Sequence, residues 1–148
     1  MSTKNDKTIV QAYLFFNGNC EEAMEFYRSV FGGEFTTFSR FGDMDTGMPM
    51  DESEKDNILH AALPIGENYV LMASDCPSSM MTVTQGNAYS ISIGAESEEN
   101  ATRLFNGLSE GGNVTMPLQK TFWGAFFGMW TDKFGINWMV NYDYEQPA

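Results

Sequence analysis

The sequence predicts an α+β domain built from two similar halves, each a strand followed by a short amphipathic helix and several further strands. Three observations carry this. A one-sided apolar stripe of helical spacing occurs twice, bounded by turn residues; the flanking segments are rich in β-branched and aromatic residues; and the two stripes superimpose position by position.

The first strand is expected over Ile9 to Phe16, which ends in the turn chemistry of Asn17-Gly18-Asn19. Alternation places Val10, Ala12, Leu14 and Phe16 on a helix-facing side and Gln11 and Tyr13 on the other. Ala23, Phe26, Tyr27, Val30 and Phe31 then fall at the spacing of a core-facing helix, with Asn19 and Glu22 as its start and Gly32-Gly33 as its stop. Strands follow over Glu34 to Phe41, Ile58 to Ile65 and Tyr69 to Ser74.

The grammar returns with a strand over Asn87 to Ala95 and a helix opened by Ser97-Glu98-Glu99, whose stripe is Ala101, Leu104, Phe105 and Leu108 and whose stop is Gly111-Gly112. Setting Ala23 on Ala101 also sets Phe26 on Leu104, Tyr27 on Phe105 and Val30 on Leu108. The later strands are Asn113 to Met116, Phe122 to Trp130 and Ile136 to Tyr142. Gly42 to Asn57 and Cys76 to Gly86 read as loops, the second joining the halves.

A chain of 148 residues suits one domain with a substantial core. Its 20 acidic against 8 basic residues give a net charge of −12, which repels phosphate backbones and anionic headgroups; neither nucleic acid nor a membrane is an expected partner. Apolar runs such as Ile9 to Phe16 fall well short of the roughly 20 residues that span a bilayer. No secretion signal follows the charged amino end, and Cys20 and Cys76 lack CxxC spacing, so a cytoplasmic location with two inert thiols is expected.

The run Tyr13-Leu14-Phe15-Phe16-Asn17-Gly18-Asn19-Cys20-Glu21-Glu22-Ala23, with Phe26-Tyr27 and Phe31-Gly32-Gly33, resembles the opening of PhnB-like proteins of the vicinal oxygen chelate superfamily. That superfamily includes glyoxalase I, bleomycin-resistance proteins and extradiol dioxygenases. The likeness continues through Ile58-Leu59-His60-Ala61, Leu71 to Asp75, Gly111-Gly112, Met116-Pro117-Leu118, Thr121-Phe122-Trp123-Gly124, Phe127-Gly128-Met129 and Asp132 to Trp138. It implies two βαβββ modules whose curved sheets enclose a cavity, usually within a homodimer. On this reading residues 1–8 are a flexible tail and 9–148 a single domain, with modules at 9–75 and 87–142 and a connection at 76–86.

Many members of the superfamily hold a divalent metal on His, Gln or Glu of the first and last strands of each module. Here Gln11 is the nearest match to a first ligand, followed by Met72, Ser90 or Ser92, and Met139. Thioether sulfur is too soft for an oxygen-chelating divalent ion, so the expectation is no metal and no other cofactor. Proteins of this kind are sometimes labelled ubiquinone methyltransferases, but nothing here resembles a Gly-rich loop for an adenosyl cofactor. GxGxxG and GxSxG patterns are also missing.

His60, the single histidine, is the candidate acid or base, although a lone histidine on a strand is more often structural. Among the aromatic residues from Phe122 to Trp138, Trp123 is the one expected to face a cavity rather than the core. The expected ligand-binding face is therefore Gln11, Tyr13, His60, Trp123 and Met139. Three readings stay open: a metal-free protein that binds a small organic molecule, with or without chemistry at His60; a metal-dependent lyase or dioxygenase; and a dimeric interaction module without catalysis.

Overall fold

The computed structural model describes residues 7–43, 47 and 50–144. The expected tail lies largely outside the described residues, as does part of the Gly42 to Asn57 loop. Two compact units are formed, one by residues 1–28 with 32–83 and the other by 29–31 with 84–148.

The first unit contains β1 (Tyr13–Phe16), α1 (Cys20–Phe31), β2 (Thr37–Arg40), β3 (Ile58–Ile65) and β4 (Tyr69–Asp75). Its four-stranded sheet has the order β1-β4-β3-β2, with β1 parallel to β4 and the other pairs antiparallel. The second unit repeats this with β5 (Ile91–Gly94), α2 (Glu98–Ser109), β6 (Asn113–Lys120), β7 (Ala125–Thr131) and β8 (Asn137–Asp143) in the order β5-β8-β7-β6. Each unit is thus a βαβββ module, and the α+β class and the internal repeat are both realised.

The buried positions follow the two periods. Leu14 and Phe16 of β1 are buried while Tyr13 and Phe15 are exposed; Ala61 and Leu63 of β3 and Leu71 and Ala73 of β4 fill the same side as Leu14. In α2 all four stripe residues, Ala101, Leu104, Phe105 and Leu108, are buried. In α1 the buried residues are Cys20, Ala23, Met24 and Tyr27, whereas Phe26, Val30 and Phe31 are half-buried.

The first strand is shorter than Ile9 to Phe16. Val10 is 89% exposed, and the ladder with β4 begins at Tyr13 opposite Met72. The chain before Tyr13 is held mainly by side chains: Val70 N–H donates to Gln11 Oε1 and Ala12 N–H to the Tyr69 hydroxyl at 3.0 Å, beside one long backbone bond from Met72 N–H to Ala12 O at 3.4 Å. The expected strand over Phe122 to Trp130 starts at Ala125, because Thr121 to Gly124 form a turn in which Gly124 has φ +91°.

Helix ends differ between modules. Ser97 Oγ accepts from Asn100 N–H at 2.9 Å and caps α2, whereas the Asn19 side chain makes no cap to α1. That role passes to Asp75, a carboxylate 2% exposed at the end of β4. Its Oδ1 accepts from Gly18 N–H at 2.8 Å and Cys20 N–H at 2.9 Å, and its Oδ2 accepts from Ile58 N–H at 2.9 Å. In the second unit the buried Asp132 accepts from the backbone N–H of Phe134 and Ile136 and, at 2.8 Å, from Trp138 Nε1.

β6 is an edge strand whose pairing with β7 shifts register between Val114 and Met116 and again between Met116 and Gln119, around Pro117. At the β7–β8 end of the unit a Cβ on Gly112 would meet Thr131 O at 2.3 Å, so that close backbone approach requires glycine.

Replacing Asp75 by Asn keeps one acceptor but turns an amide N–H₂ toward backbone donors. The expected cost is about 2 to 4 kcal/mol of unfolding free energy, read as a lower urea midpoint at unchanged slope. A loss under about 1 kcal/mol would show that the three donors find other partners.

Candidate functional site

Strand register fixes what shares a face with Tyr13. Tyr13 lies opposite Met72, which lies opposite Ala62; Phe15 lies opposite Ser74, and His60 opposite Ser39. Because alternate residues project to the same side, Tyr13, Phe15, Ser39, His60, Met72 and Ser74 occupy one face of the first sheet, away from the buried Leu14, Phe16, Leu63 and Leu71. Tyr13 and Phe15 are exposed there, His60 and Met72 half-buried, and Ser74 buried.

Tyr13 and His60 meet on this face. The Tyr13 hydroxyl lies 3.0 Å from His60 Nδ1, and the rings stack with centroids 5.6 Å apart. Phe15 packs beside Tyr13 at 5.2 Å. With the imidazole proton on Nε2, the Tyr13 O–H donates to Nδ1 and the outer nitrogen is a donor. With the proton on Nδ1 the donation reverses and Nε2 becomes an acceptor. The pair can therefore present either polarity to a bound molecule according to the tautomer, and exchange between the two requires one ring nitrogen to lose a proton to solvent and the other to gain one.

Gln11 lies next to this face but before β1, its carbonyl committed to Val70 N–H. In the second unit, Met139 sits opposite both Ser92 and Met129, and Phe127 opposite Asn141, so these residues share a face that excludes the buried Trp130, Trp138 and Val140. Trp123 is 56% exposed on the turn before β7 rather than on a strand, and its ring meets Phe127 edge-on at 6.2 Å. The structure thus brings Tyr13 and His60 into direct contact, and sets Trp123 against an aromatic residue of the face that carries Met139.

Phe15, Ser39 and Ser74 were not singled out from the sequence. Their place follows from the pairing of β3 with β2 and β4, which no local pattern encodes; for Phe15 the alternation with Tyr13 was already a sufficient signal.

The ligand positions implied by the resemblance hold donors of the wrong kind for an oxygen-chelating metal. Of these positions, Gln11 commits its carbonyl to Val70 N–H, Met72 stands across from Tyr13 in one sheet, and Met139 stands across from Ser92 in the other, so the set offers chiefly hydroxyl and thioether. Among the described residues no three His, Cys, Asp or Glu side chains come together in a group that could hold a metal ion. Those residues do not fit the family's metal.

Cys20 is buried, and that burial, reinforced by the charges of Asp75 and Glu21, pushes its thiol pKa up. It is held as the protonated thiol, away from nucleophilic chemistry. No helix among the described residues is long and apolar enough to cross a membrane.

Two βαβββ modules of identical strand order, each with a polar and aromatic sheet face, define the paired-module α+β class. The chain belongs to the glyoxalase/bleomycin resistance protein/dioxygenase superfamily, whose family model matches residues 9–140. It is 30% identical to protein YjdN of Escherichia coli K12, over 92% of this chain and 96% of that one. Among solved structures it resembles protein PA1353 of Pseudomonas aeruginosa, with 43% identity, a TM-score of 0.80 and coverage of 93% of this chain and 100% of the other. The PhnB protein of Bacillus cereus is 28% identical, with a TM-score of 0.71 and coverage of 91% and 99%.

Proposed function

We propose that this PhnB-like chain binds a small organic molecule on the sheet face carrying Tyr13 and His60, without a metal, and that His60 supplies any proton transfer. The observation that carries the reading is the Tyr13–His60 pair at 3.0 Å, set among the exposed Phe15 and the thioether of Met72. A buried ion pair or a satisfied core histidine would have no need of an exposed aromatic neighbour. Here a ring system stands ready to stack on a ligand, with a donor–acceptor nitrogen to orient it. Trp123 and Met139 extend the reading to the second unit as further ligand-contacting residues, and Gln11 joins them through its amide nitrogen.

A homodimer fits the exposed apolar side chains of the second unit. Val114 and Met116 lie on the β6 edge, and Phe122 is 96% exposed on the following turn. The free thiols of Cys20 and Cys76 support a cytoplasmic setting.

A thermal-shift screen of small organic molecules should yield stabilising ligands, and His60→Ala should weaken their binding by about 1 to 3 kcal/mol while leaving the unliganded melting temperature nearly unchanged. If every ligand found stabilises the variant equally, His60 is no part of the site; if none is found, the reading as an inert interaction module takes its place.

Elemental analysis of dialysed protein should find no stoichiometric zinc, iron, nickel or manganese. A bound metal lost in His60→Ala would establish the metalloenzyme instead.

Sedimentation at micromolar concentration should show a species of twice the 16.6 kDa chain mass. A single 16.6 kDa species would refute the dimer.

A further inference from the structure

We infer that the Tyr13–His60 face selects small organic cations and rejects anions such as phosphonates and carboxylates, an inference that rests on the ligand-binding reading of that face. It comes from where the chain has spent its positive charge. Across all eight strands Lys or Arg occurs at two positions, Arg40 at the end of β2 and Lys120 at the end of β6. Both are engaged. Arg40 grips Glu21 of α1 through both terminal nitrogens, at 3.0 and 2.9 Å, and the hydrogen bond holds that carboxyl below its usual range. Lys120 lies over the Tyr144 ring with its Nζ 5.6 Å from the centroid.

Of the described cations on helices and loops, Lys7 lies exposed before the first strand and the others are committed. Arg28 pairs with Glu25 and Glu34, Lys55 with Glu52, Arg103 donates to Val30 O, and Lys133 lies over Phe134. Among the described strand residues, then, no basic side chain shares the face of Tyr13, His60 and Phe15, nor that of Ser92, Met129 and Met139.

An anion bound on such a face would leave water with neutral hydroxyl and imidazole donors alone, and desolvating a charge without a counter-charge is strongly unfavourable. A cation meets the opposite conditions. The exposed rings of Tyr13, stacked on one side against His60, and Phe15 carry quadrupoles whose faces are negative, His60 can accept through an unprotonated nitrogen, and the net charge of −12 lowers the potential around the whole molecule.

Three benzyl probes that share a ring and differ in charge test this: benzyltrimethylammonium, benzyl alcohol and benzylphosphonate. Each is titrated into the full chain at about pH 8. The readout is the imidazole resonances of His60, unambiguous because the chain has 1 histidine. The expected order of affinity is ammonium, alcohol, phosphonate, with at least about a tenfold gap between the extremes. The ammonium affinity should fall as sodium chloride is raised past the point where the Debye length drops below about 8 Å.

Perturbation of His60 by all probes with the phosphonate tightest, or with no dependence on charge, would overturn the cation preference while leaving the binding face in place. A His60 signal unmoved by any probe would remove the binding face and the preference together. Tyr13→Phe and Phe15→Leu provide the control: the second should weaken the ammonium more than the alcohol, and an equal loss would count against the ring-face contact.

Discussion

Much of the first module hangs on a single carboxylate. Asp75 closes β4, and by accepting from Gly18, Cys20 and Ile58 it joins the turn after β1, the first turn of α1 and the start of β3 to one point. The acceptor sits at the amino end of the helix, where unpaired N–H groups and the helix dipole favour negative charge. With those ends fixed, Phe16 must lie opposite Asp75, which places Tyr13 opposite Met72 and brings the His60 ring to the Tyr13 hydroxyl. The residues proposed to meet a ligand are positioned by a carboxylate that lies apart from their face. Asp132 works differently in the second unit: it organises the β7–β8 turn and holds the Trp138 indole, while Ser97 caps the helix.

The parts of the fold that were legible in the sequence are those set by local periodicity. Leu104, Phe105 and Leu108 fall where the helical stripe puts them, and β3 spans the Ile58–Ile65 segment read from composition. What was illegible depends on partners distant along the chain. Ile9 and Val10 are good strand formers by type, but in the β1–β4 register Val10 reaches only the first residue of β4, Tyr69, and Ile9 falls beyond it, so a strand there would have at most the fraying end of β4 to pair with. The aromatic run after Thr121 hides a turn because Phe122 and Trp123 are strand-like residues in a segment whose course is set by Gly124.

The candidate site divides the same way. His60 stood out by being alone, and Tyr13 by alternation; their contact depends on the offset between β1 and β3 through the intervening β4, which only the folded register supplies. Ser39 and Ser74 flank His60 for the same reason. Met72 and Met139 were legible as poor metal donors from chemistry alone, and the repeat then sets each across from a hydroxyl-bearing residue, Tyr13 and Ser92.

The irregularity of β6 has a consequence for behaviour at high concentration. An outer strand carrying Val114 and Met116 in the open is a template on which further chains could stack indefinitely as fibrils. Pro117 lacks an amide hydrogen and the two register shifts bend the strand, so an incoming extended segment cannot complete a continuous ladder along it. The edge can accept a finite, shaped neighbour while resisting open-ended polymerisation, and its apolar side chains can therefore stay on the outside of the sheet without committing the protein to aggregate.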